Sequence, residues 1–205
     1  MLLQIYLTGG RKELIVGNYI ATAKTIRDTS VYSKEVQEGI NLYQTINDFA
    51  EVDPAVLESR KRLNPKYSKY SFAIIEFFYD HFLAVNWKNY SRMSMEKFTM
   101  NVYKTLLEYQ KVLPYKAKYL LPRMIRGNWL EKFTTLGGVQ QVINQMDIKS
   151  TKLTHIVSAL EDLISDYKDF QQDFHDFFPR AVKYVSNRLE GAGYSSKDLV
   201  TIGQG

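Results

Sequence analysis

The residues whose types could carry out catalysis or bind a metal lie in an apolar stretch from residue 74 to 87. Its apolar side chains cover nearly every side of a helix, and a helix that is hydrophobic all round is buried. Glu76, Asp80 and His81 lie inside this stretch, and the two carboxylates are one helical turn apart on one face. Buried carboxylates are costly unless they are paired or bind a metal. The stretch therefore indicates either a metal or catalytic site, or polar residues that hydrogen-bond to neighbouring helices and hold the core together.

The composition limits the class of protein. The chain has 205 residues, of which 45% are hydrophobic, enough for one globular domain with a full core. It has no cysteine, which excludes disulfides, thiolate metal sites and a cysteine nucleophile. The first residues lack the basic flank of a signal peptide, and charges interrupt every apolar run before it could span a membrane. We expect a cytoplasmic protein without a membrane span.

The elements that position these residues are helices, because helical periodicity runs through the chain and no strand alternation persists. We expect an all-α fold with a single compact helical domain over residues 1–190 and a flexible tail over 191–205. A central, mostly buried helix is predicted over about residues 70–86. The predicted N-cap residues of other helices are Ser33, Asp53, Ser94 and either Thr134 or Thr135.

Prolines and glycines predict where helices end. Asn64-Pro65 is predicted to end the helix that Asp53-Pro54 begins, and Pro122 to kink or stop a short basic helix. Pro179 is predicted to separate a long amphipathic helix over residues 151–177 from a final helix. Gly17-Asn18 either ends one turn of helix or lets another part of the chain approach the backbone closely.

Three segments of the chain resemble the acyl-carrier-protein phosphodiesterases, also called ACP hydrolyases. Gly-Asn-Tyr-Ile-Ala at 17–21 is similar to the family's Gly-Asn-x-x-x-Asp segment. The block from Gly39 to Pro54 is similar to a family block that begins with Gly-Ile and ends with His-Pro. Tyr-Asp-His-Phe-Leu-Ala at 79–84, with Trp87, is similar to its Tyr-Asp-His-Phe-Leu-Ala-x-x-Trp block. Weaker likeness continues to 189.

The resemblance implies an HD-domain-like helical bundle and a hydrolase of fatty acid biosynthesis. Its members remove the 4'-phosphopantetheine arm from holo-acyl carrier protein with a divalent metal, usually Mn²⁺, which needs oxygen and imidazole ligands and a metal-activated water. The resemblance assigns Asp80 and His81 as metal ligands and catalytic residues, with Glu51 or Asp53 as the base. The other family ligand positions are occupied here by Gln4, Thr22, Tyr43, Asn47 and Asp53.

The chain departs from the family pattern at these ligand positions. Gln4, Thr22 and Asn47 replace histidine or aspartate, and they are neutral, weak ligands for a hard dication. Among the family's ligand positions Asp80 and His81 alone are unchanged. We therefore expect no tightly bound dication, with the Asp80 carboxylate orienting the His81 imidazole instead. Tyr43, Asn47 and Glu51 are spaced by four, so they should share one helix face.

Three functions remain open. The first is an active phosphodiesterase with a rearranged site that uses Asp80, His81 and Glu51. The second is a non-catalytic pseudoenzyme that binds an acidic carrier protein or another partner. The third is nucleic-acid binding, which the net charge of +5 and fifteen tyrosines permit. No known nucleic-acid reading motif appears, so we do not expect it.

Two groups of basic residues could bind an acidic carrier protein, since a basic surface is its expected complement. Arg60 and Arg62 represent the first group, and Arg123 and Arg126 represent the second. The further members are Lys61, Lys66 and Lys69 in the first group, and Lys116, Lys118 and Lys132 in the second. Either group is also compatible with an ordinary solvated surface.

Overall fold

The structure is a computed structural model, and it describes residues 1–22, 28–146 and 151–194. These residues form helices and no strand, as predicted. Within them, no helix is both long enough and apolar enough to span a membrane. Residues 195–205, most of the predicted tail, lie outside the described residues. The elements are α1 (Leu2–Tyr6), α2 (Lys12–Thr22), α3 (Lys34–Val52), α4 (Pro54–Tyr67), a 3-10 helix (Ser68–Tyr70), α5 (Ser71–Val85), α6 (Trp87–Tyr90), α7 (Met95–Glu108), α8 (Tyr115–Arg126), α9 (Trp129–Lys132), α10 (Leu136–Gln145), α11 (Thr151–Ser165) and α12 (Tyr167–Gly191).

Helix α5 is the central element, within one residue of its predicted bounds. It packs against α1, α4, α10, α11 and α12. Phe78 and Phe82 are fully buried, and the ring of Phe78 meets the edge of Phe170 of α12 with centroids 5.1 Å apart. Burial of an aromatic side chain contributes about 1.5–3 kcal/mol. This core fixes the backbone from which Glu76, Asp80 and His81 project.

Two glycines bring α2 and α3 into backbone contact. A Cβ on Gly17 would lie 2.1 Å from the carbonyl oxygen of Val36, and one on Gly39 would lie 2.6 Å from that of Leu14. No side chain fits at either position. Of the two interpretations of Gly17-Asn18, the close backbone approach is correct, and this contact fixes Asn18 relative to α3.

The predicted caps are confirmed, whereas the helix ends predicted at Pro65 and Pro179 are wrong. At Pro122 the predicted stop is wrong, and the kink given as its alternative stays a prediction. The side chains of Ser33, Asp53, Ser94 and Thr135 each accept a hydrogen bond from a backbone N–H in the first turn of the following helix.

Pro65, Pro122 and Pro179 lie inside α4, α8 and α12 and do not end them. Proline inside a helix costs about 3 kcal/mol. Around Pro179, the buried side chains of Phe178 and Ala181 offset that cost. The predicted helix over 151–177 is interrupted between Ser165 and Tyr167 instead.

Candidate functional site

Two adjoining cavities lie beside α5. The small cavity, about 40 Å³, is lined by Gln4, Asn47 and Asp80, with apolar side chains around them. The large cleft, about 970 Å³, is lined by residues of α3, α4, the 3-10 helix and α5. Asn47 and Glu76 line both cavities. The volume of the cleft lies at the upper end of the range of about 300–1,000 Å³ that is common for ligand sites.

Three amide side chains form a hydrogen-bonded chain at the small cavity. Gln4 Nε2 donates to Asn47 Oδ1 at 2.7 Å, and Asn18 Nδ2 donates to Gln4 Oε1 at 3.3 Å. These residues come from α1, α2 and α3, so the network joins three helices. Asn18 Oδ1 is buried without a hydrogen-bond partner among the described residues. Because it is a neutral amide oxygen, it is a weak ligand for a hard dication. Two of the positions predicted to be degraded ligands, Gln4 and Asn47, thus belong to an internal amide network.

Asp80 is buried, and both carboxylate oxygens have partners. Oδ1 accepts a hydrogen bond from the backbone N–H of Leu3 at 2.8 Å, and Oδ2 pairs with the amino group of Met1 at 2.7 Å. The carboxylate therefore attaches α5 to the first turn of α1. Charge-assisted hydrogen bonds of this kind are among the stronger ones in proteins, and they hold the carboxylate in place at the wall of the small cavity.

His81 points away from Asp80 and lines neither cavity. Its Nδ1 lies 2.8 Å from the carbonyl oxygen of Phe133, so Nδ1 carries the proton and donates it. Its Nε2 lies 3.0 Å from the Tyr167 hydroxyl, which donates to it. Burial lowers the pKa of His81, against the opposing effect of the Phe133 hydrogen bond.

The expected Asp80–His81 pair is therefore wrong. Consecutive residues of a helix point about 100° apart, so Asp80 faces α1 while His81 contacts Phe133 and Tyr167. The bland interpretation, in which polar residues hold the core together, describes the present contacts of both side chains. Their predicted metal-binding and catalytic roles remain predictions.

Tyr43, Asn47 and Glu51 share one face of α3 and line the large cleft, as their spacing indicated. The pKa of Tyr43 is raised to about 12, first by burial and then by the charge of Glu76, while a hydrogen bond with Asn47 lowers it. Tyr43 is therefore a neutral hydroxyl at ordinary pH. Thr22 lines neither cavity, and its hydroxyl donates to the Tyr19 carbonyl at 2.6 Å.

Asp53 is occupied by structural contacts. Its Oδ1 accepts from the backbone N–H of Ala55 at 2.9 Å, which caps α4. Arg180 of α12 binds the same carboxylate through both oxygens, at 2.7 and 2.8 Å. Asp53 is 3% exposed, so the carboxylate is sealed within these bonds. Its interpretation as a helix cap is confirmed, and we leave the role of base to Glu51.

The predicted partner-binding arginines differ in their surroundings. Arg62 pairs with Asp173 of α12 and lies over the Phe170 ring, 5.6 Å from its centroid, so it joins two helices. Arg60 instead lines the large cleft. Arg60 and Arg62 are close in the chain, but their side chains face different directions because successive side chains of a helix point to different sides.

Arg123 and Arg126 lie on α8. The guanidinium of Arg123 lies 4.4 Å from the centroid of the Tyr119 ring, and Arg126 is exposed. Helix α8 carries four basic residues and no acidic one. The described geometry therefore keeps α8 as a basic outer surface.

The family model for acyl carrier protein phosphodiesterase matches residues 1–181. The chain belongs to the acyl carrier protein phosphodiesterase family. Similar proteins named acyl carrier protein phosphodiesterase include one from Photorhabdus laumondii subsp. laumondii, 23% identical over 85% of this chain and 88% of the relative. Another, from Yersinia enterocolitica, is 22% identical over 85% of this chain and 91% of the relative. No solved structure matches the chain.

Gln4 and Asn47, at two positions where the resemblance implies metal ligands, do not fit a hard dication such as Mn²⁺. Among residues 1–22, 28–146 and 151–194, no three side chains of the types His, Cys, Asp or Glu are grouped so that they could share a metal. Such an ion takes about six donors, with carboxylate and imidazole preferred. Gln4 and Asn47 supply neutral amides, so these two positions do not offer the donors that such an ion prefers.

Sequence reasoning did not single out Asn18 and Arg180 as partners of site residues. Asn18 had a signal, because it belongs to the Gly-Asn segment that resembles the family. Arg180 had none, because it lies 127 residues from Asp53 in the chain. A long-range ion pair of this kind becomes visible only when the helices are packed.

Proposed function

We propose that this protein binds holo-acyl carrier protein and accommodates its phosphopantetheine arm in the large cleft, without the metal-dependent hydrolysis of the arm. Membership of the acyl carrier protein phosphodiesterase family indicates the carrier as substrate or partner. The single observation that supports the proposed absence of hydrolysis is the 2.7 Å hydrogen bond between Gln4 and Asn47. Two neutral side chains satisfy each other where the family resemblance implies ionisable ligands.

Recognition of the carrier follows from shape and charge. A cleft of about 970 Å³ has room for a flexible arm. The basic surface of α8 would meet an acidic carrier, because complementary charge accelerates association and favours the correct partner. Arg62 contributes less than predicted, since its charge is already paired with Asp173. We therefore place carrier docking on α8, through Arg123 and Arg126.

A second candidate function is hydrolysis of the arm in a rebuilt site. The observation that favours it is that two carboxylates, Glu51 and Glu76, line the same large cleft. Carboxylates are ligands that Mn²⁺ accepts, and Glu51 would then act as the base. This alternative keeps the family reaction and moves its chemistry from the small cavity to the cleft.

Intact-mass analysis of holo-carrier incubated with the protein, with and without Mn²⁺, tests both functions. We expect an unchanged carrier mass together with co-elution of carrier and protein on gel filtration. The Photorhabdus laumondii relative under the same conditions serves as the positive control. Loss of the arm with Mn²⁺ would establish the second candidate, and an unchanged carrier that does not co-elute would refute the first.

Charge reversal tests the docking surface. Arg123→Glu together with Arg126→Glu should weaken carrier binding about tenfold or more and flatten its salt dependence, because rim charges act through screened attraction. Lys88→Glu, an exposed change outside α8, is the matched control. Equal affinity of the two variants in a binding titration would remove α8 from the proposal.

A further inference from the structure

We infer that the large cleft contains an anion-binding end, formed by Arg60 and Lys69, that holds the phosphate of a phosphate ester. Both side chains line the cleft, one from α4 and one from the following 3-10 helix. The identity of the ester as the carrier's arm rests on the proposed function, whereas the anion-binding end does not. This inference places the phosphate on the α4 side of the cleft, apart from the amide network of Gln4 and Asn47.

Arg60 is the first observation that carries this inference. Its Nε is buried and has no hydrogen-bond partner among the described residues. Its sequence neighbours are both satisfied, since Lys61 pairs with Glu58 at 2.5 Å and Arg62 pairs with Asp173. A buried donor without a partner is unfavourable. Because Nε itself is buried, a phosphate in the cleft would contact the other nitrogens of the half-buried guanidinium, and it would reach Nε only after the side chain shifts.

Lys69 is the second observation. Its ammonium lies 5.3 Å from the centroid of the Tyr70 ring, and Tyr70 lines the cleft as well. Among the described residues, no carboxylate forms an ion pair with Lys69 or with Arg60, whereas the nearby Lys66 pairs with Asp162 at 3.1 Å. Within the described part of the chain, two cations without a carboxylate partner therefore line one cavity.

The chemistry of the two cations fits a phosphate group. A guanidinium presents a fork of donors that matches phosphate oxygens, and an ammonium adds a point charge. Two carboxylates, Glu51 and Glu76, line the same cleft, but Glu76 has an interaction of its own. Because neither carboxylate pairs with the two cations, their positive charge remains available to an anionic ligand.

Calorimetric titration with 4'-phosphopantetheine, pantetheine and inorganic phosphate tests the inference. We expect the phosphorylated ligand to bind at least about tenfold more tightly than pantetheine. Arg60→Gln and Lys69→Gln should each weaken 4'-phosphopantetheine about tenfold and leave pantetheine unchanged. Arg60→Lys should restore part of the loss. Lys61→Gln, the adjacent exposed position outside the cleft, is the matched control and should change nothing.

The outcomes separate this inference from the proposed function. Equal affinity for the two pantetheine ligands, unaffected by Arg60→Gln in a variant with an unchanged melting temperature, would overturn the anion-binding end, even if holo-carrier still binds. Phosphate-dependent binding that Arg60→Gln abolishes, without any holo-carrier binding, would support the inference and refute the proposed function. Inorganic phosphate that binds as tightly as 4'-phosphopantetheine would overturn the assignment of an ester ligand.

Discussion

Two substitutions at the amide network should create a metal site in this protein. Gln4→His with Asn47→Asp would replace two neutral side chains by an imidazole and a carboxylate beside Asp80. The present donor and acceptor atoms are 2.7 Å apart. Two neighbouring ligand atoms on an octahedral dication lie about 3 Å apart, given metal–oxygen distances of about 2.0–2.1 Å. The ends of the two side chains are therefore already at about the separation that two ligands of one ion need.

The magnitude follows from ligand linkage. Without metal, the double variant loses the Gln4–Asn47 hydrogen bond and places a new carboxylate near Glu76 and Asp80, so its free energy of unfolding should fall by about 1–3 kcal/mol. Mn²⁺ at a hundred times its dissociation constant adds about 2.7 kcal/mol. For a chain of this length that raises the melting temperature by about 5–10 °C.

Thermal unfolding across a Mn²⁺ titration is the assay, with elemental analysis of the dialysed protein beside it. The unmodified protein should change by less than about 1 °C. Gln44→His is the matched control, because it places an imidazole next to Asp48 on the exposed part of α3, where Gln44 and Asp48 now form a hydrogen bond. A stoichiometric metal in the unmodified protein, or an equal shift in all three proteins, would refute the reasoning.

Other predictions concern the scaffold that positions the site. Gly39→Ala should lower the free energy of unfolding by more than about 2 kcal/mol, because its Cβ would lie 2.6 Å from a carbonyl oxygen; a denaturant midpoint unchanged from wild type would contradict this. Asp53→Ala should lower the free energy of unfolding in urea by about 2–3 kcal/mol, because it removes the helix cap and the ion pair with Arg180. The cost of losing the ion pair is limited because Arg180 is 46% exposed and can rehydrate. Asp53→Asn should retain the cap and lower the free energy of unfolding less. Phe78→Ala should cost about 3–5 kcal/mol, and a cost under about 1 kcal/mol would mean that α5 is not core. Because burial lowers the pKa of His81, the folded state disfavours protonation there, so the contribution of neutral His81 to stability should be fully present above pH 6.5, the ordinary value, and fall as the pH drops below it. A His81→Gln variant should show a shallower fall in the free energy of unfolding below pH 6.5, and an identical profile would remove His81 as the cause.

The sequence by itself determined the helical class and much of the local structure. Caps such as Ser33 and Asp53 act on backbone groups two or three residues away, so a local pattern was enough to place them. The same holds for the face of α3 that carries Tyr43, Asn47 and Glu51, since helical periodicity fixes which side chains share a side. The family was recognisable because its segments are short, contiguous motifs.

Tertiary structure alone decided the partners. Periodicity shows that Asp80 is buried but not that it binds the first turn of α1, 77 residues away. It likewise could not show that the His81 imidazole contacts the Phe133 carbonyl, 52 residues away. Proline was also misjudged, because local propensity counts its cost in an isolated helix and omits the buried side chains that offset it at Pro179.

The candidate site shows the same division. The sequence indicated where this chain differs from the ligands that the family resemblance implies, because each replacement is visible as a residue type. It could not show that Gln4 and Asn47 satisfy each other across 43 residues, nor that Arg60 faces the cleft while Arg62 faces α12. Hydrogen bonds and ion pairs between distant segments depend on how helices pack, and packing is a property of the whole chain rather than of any local pattern.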